Sequence, residues 1–163
     1  MTPTIRPYTP ADLAALHGIN EASTPGVSSV SEDLLATIID LGQCTVAVDE
    51  VDIPIGFLLA VPEGTSYKGK NYAWFTERYE SFVYVDRIAI APAARGQSIG
   101  AQLYANAFTA FAGQVPLIGC EVNAVPPNPG SLRFHTRLGF EEVGGRTFHP
   151  DYAVTYLARR LVR

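Results

Sequence analysis

Residues 82–112 constrain this chain more than any other stretch. Phe82 to Ala91 is a run of β-branched and aromatic residues closed by Pro92, the pattern of a strand. Ser98 to Ala112 carries two apolar stripes, Ile99, Leu103 and Ala107 on one and Ala101, Tyr104, Phe108 and Phe111 on the other. A helix of that kind is expected to lie between two layers. The connection Arg95-Gly96-Gln97-Ser98-Ile99-Gly100 is small and glycine-rich. A strand that hands over to a helix through such a loop converges several backbone N–H groups on one point. At a helix N-terminus the dipole there favours an anion. Arg95 adds a permanent cation suited to phosphate oxygens. No Gly-Lys-Ser/Thr follows the turn and the three spaced glycines of a dinucleotide fold are absent, which sets aside both of those nucleotide loops.

The flanking sequence alternates helix and strand signals. Thr4–Tyr8 reads as a strand, and Thr9-Pro10 opens a helix carrying Leu13, Leu16 and Ile19. Ser31 opens another with Leu34, Leu35, Ile38 and Ile39, ended by Gly42. Cys44–Val48, Ile53–Val61, Leu117–Val122, Phe140–Val143 and Val154–Leu161 read as strands, the last two as antiparallel neighbours. Asn128-Pro129 starts a further helix that Gly139 stops. Residues 63–80 break this rhythm with Tyr67, Tyr72, Trp74, Phe75 and Tyr79 among polar residues, and read as a lid or a self-packed loop. The order is α+β, with no internal repeat, and residues 1–163 are expected to form one domain.

Composition narrows the partners. With 47% apolar and 17% charged residues among 163, the chain is globular rather than disordered. A net charge of −4 without any Lys/Arg run argues against nucleic acid or an anionic membrane as partner. The first residues show no charged head followed by an apolar run, so a cytoplasmic location is expected. Cys44 and Cys120 sit in apolar strand-like segments, as reduced core thiols do. His17 and His149 have no metal-type spacing with Cys or carboxylates, so no metal is expected.

Two segments resemble the GNAT superfamily of N-acetyltransferases. Asp86 to Gly100 is similar to its acetyl-CoA motif, a strand followed by Arg/Gln-x-x-Gly-x-Gly/Ala, with Ser98 where a glycine usually stands. Asn128-Pro-Gly-Ser131-Leu-Arg-Phe134-His135-Thr-Arg-Leu138-Gly139-Phe140 is similar to its later motif, Asn-x-x-Ala-x-x-Phe-Tyr-x-x-x-Gly-Phe. Asn128, Ser131 and His135 then share one helical stripe.

The resemblance implies a mixed, mostly antiparallel sheet of six or seven strands with a central splayed parallel pair, flanked by about four helices. It implies acetyl-CoA as cosubstrate, held over a region of about 82–140. Backbone groups of Ile88, Ala89 and Ile90 would pair with pantetheine, the 95–100 loop (Arg95, Gly96, Gln97, Ser98, Ile99, Gly100) would hold the pyrophosphate, and Asn128 and Ser131 would face the pantetheine arm. A backbone N–H on the same strand would steady the developing oxyanion.

Transfer in a ternary complex leaves two proton tasks. An ammonium of pKa near ~10 must lose a proton before attack; Glu121, Asp86 and Glu80 are the candidate bases, Glu121 being favoured by its place near the strand end. The departing thiolate takes a proton, and where the family carries tyrosine this chain carries His135. Acid catalysis there predicts an alkaline limb in turnover that disappears in His135→Gln. Tyr72, Trp74 and Tyr84 are candidate acceptor contacts, an aromatic face being able to hold a cation; the aromatics of 67–79 could instead pack at a homodimer interface. The expected acceptor is the primary amine of a small or amino-acid-like molecule. Ser98 and His135, as departures from the motif, leave open a non-catalytic coenzyme A-binding module.

Overall fold

The computed structural model describes residues 2–161. Its chain order is β1 (Thr4–Pro7), α1 (Leu13–Glu21), α2 (Glu32–Leu41), β2 (Gln43–Val48), β3 (Pro54–Pro62), α3 (Lys70–Arg78), β4 (Val83–Ile90), α4 (Ile99–Phe111), β5 (Leu117–Val125), α5 (Pro129–Arg137), β6 (Glu141–His149) and β7 (Tyr152–Arg160). The strands form one seven-stranded sheet, ordered β1-β2-β3-β4-β5-β7-β6. Every neighbouring pair is antiparallel except β4 and β5, which run parallel. The sheet matches the expectation; the described helices number five rather than about four, with two short 3-10 turns besides.

Local sequence accounts for the ends. The Ser31 hydroxyl accepts from Leu34 N at 3.0 Å, capping α2, and the Asn128 side chain accepts from Ser131 N at 3.3 Å, capping α5. The additional helix is α3, inside the stretch that read as a lid or loop. Tyr72, Phe75 and Tyr79 follow helical spacing, and Tyr72, Trp74 and Phe75 are buried. The sheet is shaped to receive them. A Cβ at Gly119 would lie 2.3 Å from the Phe75 ring, and one at Gly144 would lie 2.4 Å from the Trp74 ring. The aromatics of α3 therefore fill spaces that only glycine leaves on β5 and β6.

Helices cover both faces. On one, α1, α2 and α3 pack Leu16, Leu35, Ile38, Tyr72 and Phe75 onto Val46, Phe57, Leu59 and Tyr156. On the other, α4 packs Ile99, Leu103, Tyr104 and Phe111 onto Leu58, Val83, Ile118 and Leu157. A helix buried on two sides is what the double stripe of α4 implied.

Two features of β4 open the sheet at its centre. Leu59 pairs with Arg87 and Ala60 with Val85, which leaves Asp86 as the extra residue of a bulge. The bulge reverses the alternation along the strand: Tyr84 belongs to the α1–α3 face, while Ile88 and Ile90 belong to the α4 face. Parallel pairing with β5 is confined to Val83–Ile118 and Tyr84–Gly119, so beyond Tyr84 the two strands diverge.

Candidate active site

Two cavities occupy the gap between the diverging strands. The larger, of about 800 Å³, lies between the end of β4 and the N-termini of α4 and α5. The smaller, of about 620 Å³, lies over the bulge and is walled by β4, β5, the start of α3 and the β6–β7 turn. They share Gly26, Val27, Ile88, Ser131 and His135, and so meet end to end.

The larger cavity collects the residues of the sequence motif. Ile88, Ala89, Ile90, Arg95, Gly96, Ser98, Ile99, Gly100, Asn128 and Ser131 all line it; Gln97 is exposed and does not. The first hydrogen bond of α4 runs from Gln102 N to Ser98 O at 3.1 Å, so the amides of Ile99, Gly100 and Ala101 precede the helical ladder. Gly96 (φ 79°) and Ser98 (φ 62°) both adopt left-handed backbone to turn the chain into the helix. A Cβ on Gly100 would stand 3.0 Å from the Phe134 ring, so its absence lets α4 and α5 approach. Along β4, Ala91 N donates to Ile55 O at 2.8 Å. By strand alternation the amides of Ile88 and Ile90 point the other way, into the gap, and that of Ala89 points to β3. Arg95 is engaged with protein: its Nε donates to Ile90 O at 3.1 Å and its terminal nitrogen to Ser23 Oγ at 3.2 Å, tying the rim of the cavity to the α1–α2 loop.

The smaller cavity holds the acids. Glu121 faces it from β5, and Tyr84 donates its hydroxyl to both Glu121 oxygens, the longer contact being 3.1 Å. Burial pushes the Glu121 carboxyl from an ordinary 4.5 to about 8, against the lowering effect of the Tyr84 hydrogen bond. Asp86 accepts from Tyr67 Oη at 2.5 Å and from Arg87 Nε at 2.7 Å. With an arginine and a phenol on its oxygens, Asp86 is committed to structure in a way Glu121 is not. Glu80 is exposed beyond α3 and lines neither cavity.

A match to the family model described as Acetyltransferase (GNAT) family extends over residues 14–140, most of the chain and both motifs. The chain is a member of the GNAT acetyltransferase family. A phosphinothricin N-acetyltransferase of Streptomyces coelicolor is 37% identical over 109 residues, 64% of this chain and 59% of that protein, so the match spans less than two thirds of the relative. Among solved structures, the phosphinothricin acetyltransferase of Sinorhizobium meliloti in complex with AcCoA superposes with a TM-score of 0.73 at 24% identity, covering 99% of this chain and 90% of that one. The ribosomal-protein-S18-alanine N-acetyltransferase of Escherichia coli superposes with a TM-score of 0.77 at 17% identity, covering 99% and 96%. At these identities the structures establish a shared fold.

Against that family background, three expectations meet a different geometry. Tyr72 and Trp74 are core residues. Tyr72 donates to Pro62 O at 2.7 Å, and the Trp74 ring is stacked on Tyr156 at 4.1 Å and carries the Arg78 guanidinium at 4.1 Å. Neither lines the acidic cavity. Tyr84 does line it, but its hydroxyl is spent on Glu121. His135 stands at the junction with both ring nitrogens engaged: Nδ1 lies 2.8 Å from Ser131 O and Nε2 lies 2.7 Å from Tyr104 Oη.

The sequence reading missed the brace beneath the site. Arg87, 6% exposed, donates to Asn20 Oδ1 at 2.9 Å, Ser28 O at 3.1 Å and Ser28 Oγ at 3.3 Å, besides Asp86. It thereby anchors the α1–α2 loop, whose Gly26 and Val27 wall both cavities. Its only sequence signal was an arginine inside an apolar strand. Among the described residues no group of His, Cys, Asp or Glu could hold a metal ion, and no helix is long and apolar enough to cross a membrane.

Proposed function

We propose that this chain transfers the acetyl group of acetyl-CoA directly to the primary amine of a small or amino-acid-like molecule, both substrates being bound together. The observation that carries the reading is the end-to-end meeting of two cavities of opposite character, one headed by helix-terminal amides and the other by a basic carboxylate. The larger cavity fits coenzyme A: amides of Ile99, Gly100 and Ala101 suit the pyrophosphate, and the gap-facing carbonyl of Ile88 and amide of Ile90 suit the pantetheine amides. When bound, acetyl-CoA supplies an acetyl group already activated as a thioester.

The acceptor amine enters the smaller cavity, where Glu121 removes its proton. A carboxylate at an ordinary 4.5 would lie about six pH units below an ammonium near ~10, whereas one at about 8 lies roughly two below it, so burial makes Glu121 a far stronger base. The Ile88 amide, at the junction, is placed to donate to the carbonyl oxygen as negative charge builds there. The α1–α2 loop, held by Arg87, closes the junction from above.

The reading is tested by supplying acetyl-CoA and a panel of small amines, among them α-amino acids, and following free thiol. Turnover of at least one amine is expected, with a loss of roughly 10²–10⁴-fold in Glu121→Gln. Coenzyme binding without thiol release from any amine would identify a non-catalytic binding module and sink the proposal.

A further inference from the structure

His135 sits on α5 in an aromatic box, 4% exposed, with Tyr104, Phe134 and Phe140 edge-on to its ring at centroid distances of 5.3, 5.1 and 5.2 Å. Besides a longer contact of 3.4 Å from Ser131 Oγ to Nδ1, its two short polar contacts determine where its proton is. Ser131 O can only accept, so Nδ1, 2.8 Å away, carries the hydrogen. A neutral ring with Nδ1–H has a lone pair on Nε2, and the Tyr104 hydroxyl at 2.7 Å donates to it. Charging the ring would place a second proton on Nε2, against the donated phenol and inside an apolar box. Burial accordingly lowers the His135 pKa below its ordinary 6.5. Among the described residues no carboxylate hydrogen-bonds to the ring; Glu121 of β5 bonds to Tyr84, Asp86 of β4 bonds to Tyr67 and Arg87, and Cys120 of β5 is a buried thiol beside the Tyr104 hydroxyl.

We infer that Tyr104 is a positioning residue whose donated hydroxyl fixes His135 as the uncharged Nδ1–H tautomer, so that the His135 ring supplies no proton to the leaving group. The last clause rests on the acetyl-transfer reading; the tautomer does not. In that reaction the N–C bond forms and the C–S bond breaks with its electron pair left on sulfur. The ammonium gives one proton to Glu121 and on to water before attack, and the nitrogen loses a second to water as the tetrahedral adduct collapses; the thiolate recovers one from water in the open cleft, so one proton is released net and the balance closes without His135. A thiolate of ordinary pKa near ~8.5 is an adequate leaving group at the pH where Glu121 is ionised.

The test is a two-bond ¹H–¹⁵N correlation of the histidine rings in the uniformly ¹⁵N-labelled full chain, with His135→Gln identifying the resonances. Between about pH 6 and 9 the native ring is expected to keep a pyrrole-like Nδ1 and a pyridine-like Nε2. Tyr104→Phe is expected to admit imidazolium or the Nε2–H form in that range, and a ring that keeps the native pattern in that variant would show that Tyr104 does not set the tautomer. His135→Gln should retain the alkaline side of the native kcat profile. Imidazolium or an Nε2–H tautomer in the native protein at neutral pH overturns the inference, as does an alkaline limb that vanishes in His135→Gln. If Tyr104→Phe fails to fold, the native spectrum decides alone; if no amine is turned over, that spectrum still decides the tautomer, separately from the fate of the proposed reaction.

Discussion

Glu121→Gln should make this protein less active and, at alkaline pH, more stable. In the folded chain burial holds the Glu121 carboxyl near 8, while in the unfolded chain it titrates near 4.5. Between those values the unfolded chain has released a proton that the folded chain retains, so stability falls as pH rises through that window. The full displacement is worth at most about 5 kcal/mol, at about 1.4 kcal/mol per pH unit. Partial access of solvent to the cavity reduces this, and a value of about 2–5 kcal/mol is expected. Glutamine keeps the volume and leaves Tyr84 an oxygen to donate to, but cannot ionise. The assay is urea unfolding of the native and Gln proteins at about pH 5 and about pH 8.5. The double difference between them cancels every other titrating group. The Gln variant should exceed the native protein by less than about 1 kcal/mol at the acid pH and by more at the alkaline pH, for a double difference of about 2–4 kcal/mol. A double difference below about 1 kcal/mol would refute the buried-carboxylate argument, and retention of more than about a tenth of turnover would refute the role of Glu121 as base.

Other substitutions probe the surrounding structure. Ser98→Gly relieves a left-handed residue at φ 62°, and should raise stability by up to about 1 kcal/mol in thermal melts without weakening coenzyme A binding by calorimetry; a loss of stability would count against the loop geometry. Trp74→Ala empties a position stacked between Tyr156 and Arg78, and should cost about 3–5 kcal/mol in urea unfolding; unchanged stability with only a raised acceptor KM would return Trp74 to the acceptor site. Arg87→Met strands the Asp86 carboxylate, whose side chain is 4% exposed, and should cost about 3–5 kcal/mol while raising the KM of both substrates as the α1–α2 loop loosens; an unchanged KM for either would separate the loop from that cavity.

How much of this was legible beforehand follows from how local each signal is. The strand, loop and helix through residues 82–112 and the capped helix at Asn128 depend on side-chain alternation, glycine and proline, and near-neighbour hydrogen bonds. They are written in contiguous residues, and so are the amides that head the larger cavity. The bulge at Asp86 is different, because an extra residue exists only relative to a partner strand, here Leu59 and Ala60. The same holds for α3, whose aromatics look like a loop until Gly119 and Gly144 are brought beneath them.

What the amino-acid sequence by itself determined was the class of chain and the strand, turn and helix that head the larger cavity, since that turn is one continuous stretch. What only the tertiary structure decided was the environment of the side chains that line the smaller cavity. How Asp86, His135 and Glu121 are held depends on burial and on hydrogen-bond partners 19 to 37 residues away, Tyr67, Tyr104 and Tyr84. Protonation is set by the local dielectric and the nearest donors, and folding alone brings those groups together.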